Sequence, residues 1–316
     1  MSAGKVNGKR MARSKIVKKI RIEIAYLFVR LTVGIFRILP RRVALGVGSV
    51  LGRIIPYFAV KDLKLAADHL KIAFGDVKTD AEIMSMARET FRQIAMNFVD
   101  TVRIRSMSHD ELKKLSVPHN MERLRDALAG GNGVIVLASH TGCWEWSGGY
   151  ISIMGTPLSA ITTKMYDPRL EKMLVETREY AGISVVSRGD NTRDILRTLK
   201  NKGAVGVLVD QDTKVKGEFV DFFGQPAHTA TAPAILSMRY NSPIIPVLTY
   251  RDSQHRHHIC IGEPVTIEPS GDSEQDILEI TRKCSKVTED FIREHPTQWV
   301  WFHKRWKRVQ GTRPEV

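Results

Sequence analysis

From residue 120 onward, short apolar runs alternate with segments whose apolar residues return at helical spacing. Residues 134–137, 158–162, 183–186, 205–209, 244–249 and 257–261 are rich in Val, Ile and Leu and short enough for buried strands. Between and around them, residues 121–129, 144–154, 168–181, 192–200, 231–240 and 273–294 read as helices, several closed by Gly or opened by Pro. Such alternation predicts an α/β fold with a mostly parallel central sheet flanked by helices. Upstream, Ile83, Met86, Phe91, Ile94, Phe98 and Val102 mark an amphipathic helix over 80–105.

The first 60 residues follow another pattern. Eight basic residues, Lys5, Lys9, Arg10, Arg13, Lys15, Lys18, Lys19 and Arg21, precede the first acidic one, Glu23. Residues 22–39 are then apolar except where Glu23, Arg30 and Arg37 recur every seven positions, nearly one stripe on a helix. An Arg at mid-bilayer costs at least ~2.5 kcal/mol, which argues for a helix lying in a membrane interface, or a tilted single pass, over a clean span. A second apolar stretch, 43–60, is interrupted by Arg53 and Pro56. A secretory signal also begins basic and turns apolar, but no small-residue cleavage site follows here. The expected organisation is a basic arm with membrane-associated helices over 1–60 and one α/β domain, with its own helical entry, over 61–316.

Composition narrows the partners. Lys and Arg number 48 against 34 Asp and Glu, a formal charge of +14 on 316 residues. That excess suits nucleic acid, anionic lipid or an acidic protein. Juxtamembrane cations each contribute about 1 kcal/mol near anionic lipid, so the basic arm is expected to hold this end at the cytoplasmic leaflet of a membrane. Cys143, Cys260 and Cys284 match no zinc or disulfide spacing. His255, His257 and His258 alternate along a strand with no Cys or Glu to complete a metal site and are expected at a solvated strand edge. Trp299, Trp301 and Trp306 interleave with Lys304, Arg305, Lys307 and Arg308, a mixture that suits bases or a membrane interface.

The chemistry concentrates at Ala138-Ser139-His140-Thr141-Gly142-Cys143-Trp144-Glu145-Trp146-Ser147. His140 falls at the carboxyl end of a strand and Glu145 in the first turn of the next helix, at the edge where α/β sheets bind ligands. A carboxylate there fixes one imidazole nitrogen and raises the basicity of the other, making His140 a candidate general base oriented by Glu145. Asp210 and Asp212 close the 205–209 strand at the same edge, where carboxylates hold a metal, exchange protons or position a neighbour. Cys143 lies inside the motif, but a small buried thiol is the plainer explanation of it.

These blocks resemble the lysophospholipid acyltransferase superfamily, and within it the bacterial late acyltransferases of lipid A biosynthesis, the lauroyl and myristoyl transferases. The likeness rests on His140 with Glu145, on Gly182 with Arg188 six residues later, on the Asp210-Gln211-Asp212 turn, on Phe222-Phe223-Gly224 and on Ile244-Ile245-Pro246-Val247, and it spans roughly Arg21 to Trp306. The glycerol-phosphate branch carries a Glu-Gly-Thr-Arg turn where this chain has Asp210-Gln211-Asp212. The resemblance implies transfer of a fatty acyl chain from a thioester, on acyl carrier protein or coenzyme A, to a hydroxyl of a lipid A precursor, with no cofactor and no metal. It makes Arg188 a phosphate anchor, Asp210 and Asp212 substrate-side positioning groups, and the Trp-rich end a membrane contact. The apolar N-terminal helices and Phe222-Phe223-Gly224 would line a trough for the fatty chain. The competing expectations are a glycerol-phosphate, lysophospholipid or other glycolipid acyltransferase, and a non-catalytic basic protein at a membrane or on nucleic acid; the resemblance disfavours nucleic acid.

Overall fold

The computed structural model describes residues 3–187 and 192–308. Helices α1 (Ala3–Ile38), α2 (Arg41–Phe58), α3 (Val60–Phe74) and α4 (Asp80–Arg103) come first, then α5 (His109–Lys114), β1 (Ser116–His119) and α6 (Met121–Ala129). The alternating part follows as β2 (Val134–Ala138), α7 (Trp144–Ile153), β3 (Leu158–Thr162), α8 (Pro168–Tyr180), β4 (Ile183–Ser187), α9 (Thr192–Lys200) and β5 (Ala204–Leu208). After these come a hairpin of β6 (Gly217–Phe222) and β7 (Gln225–Ala230), then α10 (Ala232–Tyr240), β8 (Ile244–Arg251), β9 (His257–Ile261) and α11 (Ser273–Glu294).

Seven strands form the main sheet in the order β1-β9-β8-β2-β5-β3-β4. The five from β8 to β4 run parallel, and only the β8–β9 pair is antiparallel. The expected α/β fold with a mostly parallel sheet is therefore what the chain adopts. β2 lies between β8 and β5, and its residues Val134 to Leu137 are buried as a continuous apolar run, as a strand covered on both faces requires. The sequence pattern did not anticipate β1, α3, α5 or the β6–β7 hairpin. The hairpin turns on Phe223 and Gly224, both at positive φ, which matches the twist of a two-residue loop although Phe is a strained choice there.

The helical entry is packed closely. α2 runs through Arg53 and Pro56, and Gly52 lets it approach α4 so tightly that a Cβ would fall 2.5 Å from Arg92 Cα. α4 carries the buried polar side chains Asn97 and Asp100 toward the sheet. The outer faces of α1 and α2 stay apolar, with Phe28, Leu31, Ile35, Ile54 and Phe58 exposed. Among the described residues no single helix is long and apolar enough to cross a membrane; α2 and α3 together reach that composition but bend by 96°.

Candidate active site

β2 ends at Ala138 and β5 ends at Leu208, and these two residues are register partners. Two steps beyond each lie His140 and Asp210, so parallel pairing brings side chains 70 positions apart to the same place on the sheet edge. His140 Nδ1 lies 2.9 Å from Asp210 Oδ1, and the His140 backbone N–H donates to Asp210 Oδ2 at 2.7 Å. The indole N–H of Trp299 also donates to Oδ2, at 2.7 Å. Burial pushes the Asp210 carboxyl up, but the facing imidazole and these hydrogen bonds outweigh it and hold the group at about 2. Asp210 is thus an anion throughout the physiological range. The His140 ring is about one-fifth exposed, and no described residue bonds its Nε2. Trp144 lies edge-on to it with centroids 4.8 Å apart.

The turn after His140 is built by neighbours on three sides. Gly142 sits at φ +50, and a Cβ there would fall 2.5 Å from the Thr249 carbonyl oxygen, so only glycine fits. Its N–H donates to Gln298 O at 2.8 Å, and its carbonyl accepts from Asn97 Nδ2 at 2.7 Å. Thr141 forms a bridge with Trp299. α4, β8 and the segment after α11 therefore set the direction in which the imidazole points.

Among the described residues no hydrogen bond joins Glu145, the expected orienting group, to His140. Arg178 of α8 grips its carboxylate with two hydrogen bonds of 2.9 and 2.6 Å, and Trp144 Nε1 adds a third at 3.2 Å. Short separation in sequence was a poor guide, because α7 carries Glu145 toward α8 while strand register supplies Asp210. Asp212, expected near the substrate, is held by Arg308 Nε at 3.1 Å, with His228 Nδ1 at 3.5 Å. The expected phosphate anchor, Arg188, lies outside the described residues.

Other expectations change with burial. Cys143 is sealed among Thr101, Asn97 and α7, and burial pushes its thiol up to about 11, far from a nucleophile. His257 and His258 do not sit at a solvated edge, since β9 runs between β1 and β8. His257 is fully buried against Asp100, and His258 contacts His119, Tyr250 and Asp252. Trp299 and Trp301 are not surface anchors but core residues packed with Phe222, Phe223 and Phe74. Phe222 and Phe223 belong to that core as well, and the apolar troughs along α1 are lined by other residues. The Asp210–Trp299 contact had no sequence signal, because it joins two loops 89 residues apart.

Apolar spaces lie along α1 and beneath α7. One trough of about 590 Å³ runs between α1, α2 and α4 and reaches Phe302, the neighbour of His303. A second, of about 340 Å³, runs between α1, α4 and α8 and reaches Thr177, the neighbour of Arg178. A narrow slot beneath α7 is lined by Ala138, Trp144, Ala160, Ile161 and Gly206, with Glu145 and Arg178 at its polar wall.

A family model for bacterial lipid A biosynthesis acyltransferases matches residues 10–308. The chain belongs to that family. It is similar to the lipid A biosynthesis palmitoleoyltransferase of Escherichia coli strain K12, at 24% identity over 87% of each chain. The lipid A biosynthesis lauroyltransferase of the same strain is 23% identical over 88% of each. A phosphatidylinositol mannoside acyltransferase of Mycobacterium tuberculosis is 22% identical, with 66% of each chain covered. The match extends from α1 through the Trp-rich segment.

Proposed function

We propose that the protein is an O-acyltransferase that moves a fatty acyl group from a thioester to a hydroxyl of a lipid A-type glycolipid, with His140 as general base and Asp210 as its orienting anion. The observation that carries this is the His140–Asp210 pair, at 2.9 Å, with the outer imidazole nitrogen left accessible. Nε2 accepts the proton of the acceptor hydroxyl as its oxygen attacks the thioester carbonyl. The imidazolium that forms faces the Asp210 carboxylate. Collapse of the tetrahedral intermediate breaks the C–S bond, and the proton passes from Nε2 to the departing thiolate. No acyl-enzyme is needed, in keeping with the sealed Cys143. Base catalysis of this kind contributes roughly 10²–10⁴-fold. Glu145 acts structurally here: paired with Arg178, it ties the start of α7 to α8 beside the slot.

The acceptor assignment follows the relatives that match over most of their length, which are named for lipid A biosynthesis. The phosphatidylinositol mannoside enzymes keep a second glycolipid class in view. A charge of +14 suits an anionic donor, and the likeness to the lipid A acyltransferases points to acyl carrier protein. The apolar faces of α1 and α2, with the basic arm before them, suit attachment to the cytoplasmic surface of an anionic inner membrane. The two troughs flanking α1 open on that same face and suit the fatty chains of the substrates.

Purified protein is to be incubated with a lipid A precursor and acyl carrier protein or coenzyme A thioesters, and products weighed by mass spectrometry. Addition of one acyl group, lost in His140→Ala, is expected; undiminished transfer by His140→Ala refutes the base assignment. Acylation of phosphatidylinositol mannoside in place of lipid A precursor moves the acceptor to the second class. Removal of residues 1–39 is expected to shift the protein toward the soluble fraction at moderate salt; continued need for detergent places the attachment on α2 and α3.

A further inference from the structure

We infer that Trp299 is a positioning residue for the catalytic base: its indole N–H and the His140 backbone N–H together occupy Asp210 Oδ2, leaving Oδ1 to face the imidazole. This rests on the assignment of His140 as base. A carboxylate with one oxygen held by two donors at 2.7 Å cannot rotate away from the ring without losing both. The same segment also registers the other partner. Gln298 O accepts the Gly142 N–H, and Trp299 bridges to Thr141, the residue after His140. Trp299 therefore fixes the imidazole turn and the carboxylate from one rigid, fully buried position.

The indole also tunes the charge. A donor on Oδ2 draws electron density from the carboxylate and weakens its hold on an imidazolium. Other groups facing the pair are His303 and Arg305 on the segment after α11 and Asp212 beyond β5. They remain in place when the indole N–H alone is removed. Losing that donor leaves Oδ2 held by the His140 backbone N–H alone, so the carboxylate is freer to turn away from the ring.

Trp301 provides an internal control. It is equally buried in the same aromatic cluster, 4.7 Å from Trp299 by ring centroids, but its N–H donates to Pro296 O. Trp299→Phe and Trp301→Phe remove comparable volume, and only the first touches Asp210. Transfer kinetics, melting temperature and the NMR chemical shifts of the His140 ring are to be measured for both. Trp299→Phe is expected to lower kcat about tenfold with acceptor KM within twofold, and to move the His140 ring signals as the facing carboxylate loosens. Trp301→Phe should lower melting by a similar amount with kcat within twofold and the ring signals in place. Equal kcat losses and equal ring spectra in the two variants overturn the inference and leave Trp299 as packing alone. The ring spectrum needs no turnover, so it stands even if loss of His140 proves harmless and the base assignment fails.

Discussion

Two His–Asp pairs with the same 2.9 Å contact lie on either side of α7, and they are built for opposite ends. His140 and Asp210 sit at the sheet edge, where the imidazole stays about one-fifth exposed and no guanidinium of the described residues forms an ion pair with the carboxylate. His257 and Asp100 are wholly buried; Arg251 grips Asp100 from one side and Arg41 from the other at 2.9 Å, and Trp146 stacks on the His257 ring. Burial and Arg251 drive His257 down to about 4 despite its carboxylate, so at neutral pH it is an uncharged scaffold group. Arg251 also bonds Asn97, which holds the Gly142 carbonyl. The sealed pair thus braces the turn that presents the open one. Contact distance alone does not distinguish the two pairs; exposure of the imidazole and the ion pairs made by the carboxylate do.

The sharpest break between them is expected in turnover. His140→Ala should lower transfer by roughly 10²–10⁴-fold with little change in melting, and Asp210→Asn should approach that loss. A fully active His140→Ala protein would end the distinction. Breaking the sealed pair should act on stability instead. Asp100→Asn leaves Arg251 and Arg41 without their anion and is expected to cost about 3–5 kcal/mol, read by denaturant unfolding. Unfolding at wild-type denaturant concentrations would show the cluster to be dispensable.

A third contrast lies in pH. The folded pKa of His257, about 4, is below the unfolded value near 6.5. The unfolded chain therefore takes up this proton first; the stability is full above pH 6.5 and drains as pH falls toward 4, at up to about 1.4 kcal/mol per unit. His257→Phe should flatten the melting curve against pH in that window by about one proton. Asp210 acts lower down: held at about 2, it loses its contribution only between roughly pH 4 and 2. Glu145→Gln should be milder than His140→Ala, since it weakens the Arg178 clasp without touching the imidazole. The smallest effect is expected of Cys143→Ala, with activity within about threefold.

Much of the fold was legible in the chain because strand burial and helix amphipathicity are local signals. The runs 134–137 and 205–209, which the structure sets at Val134–Ala138 and Ala204–Leu208, the helix over Ser273–Glu294 and the place of His140 at a strand end all follow from spacing. Short-range pattern also sufficed to show the family likeness, through His140, the Asp210 turn and Phe222-Phe223-Gly224. What spacing could not convey was which carboxylate meets the imidazole. Glu145 is five residues away and turns to Arg178; Asp210 is 70 away and arrives through the Ala138–Leu208 register. The Trp-rich end and the His257 strand looked like surface because amphipathic side chains read alike whether they meet solvent or a buried partner. Hydrophobic periodicity set the elements; strand order, packing and burial decided which polar groups meet, because those contacts depend on distances in space that one-dimensional order does not encode.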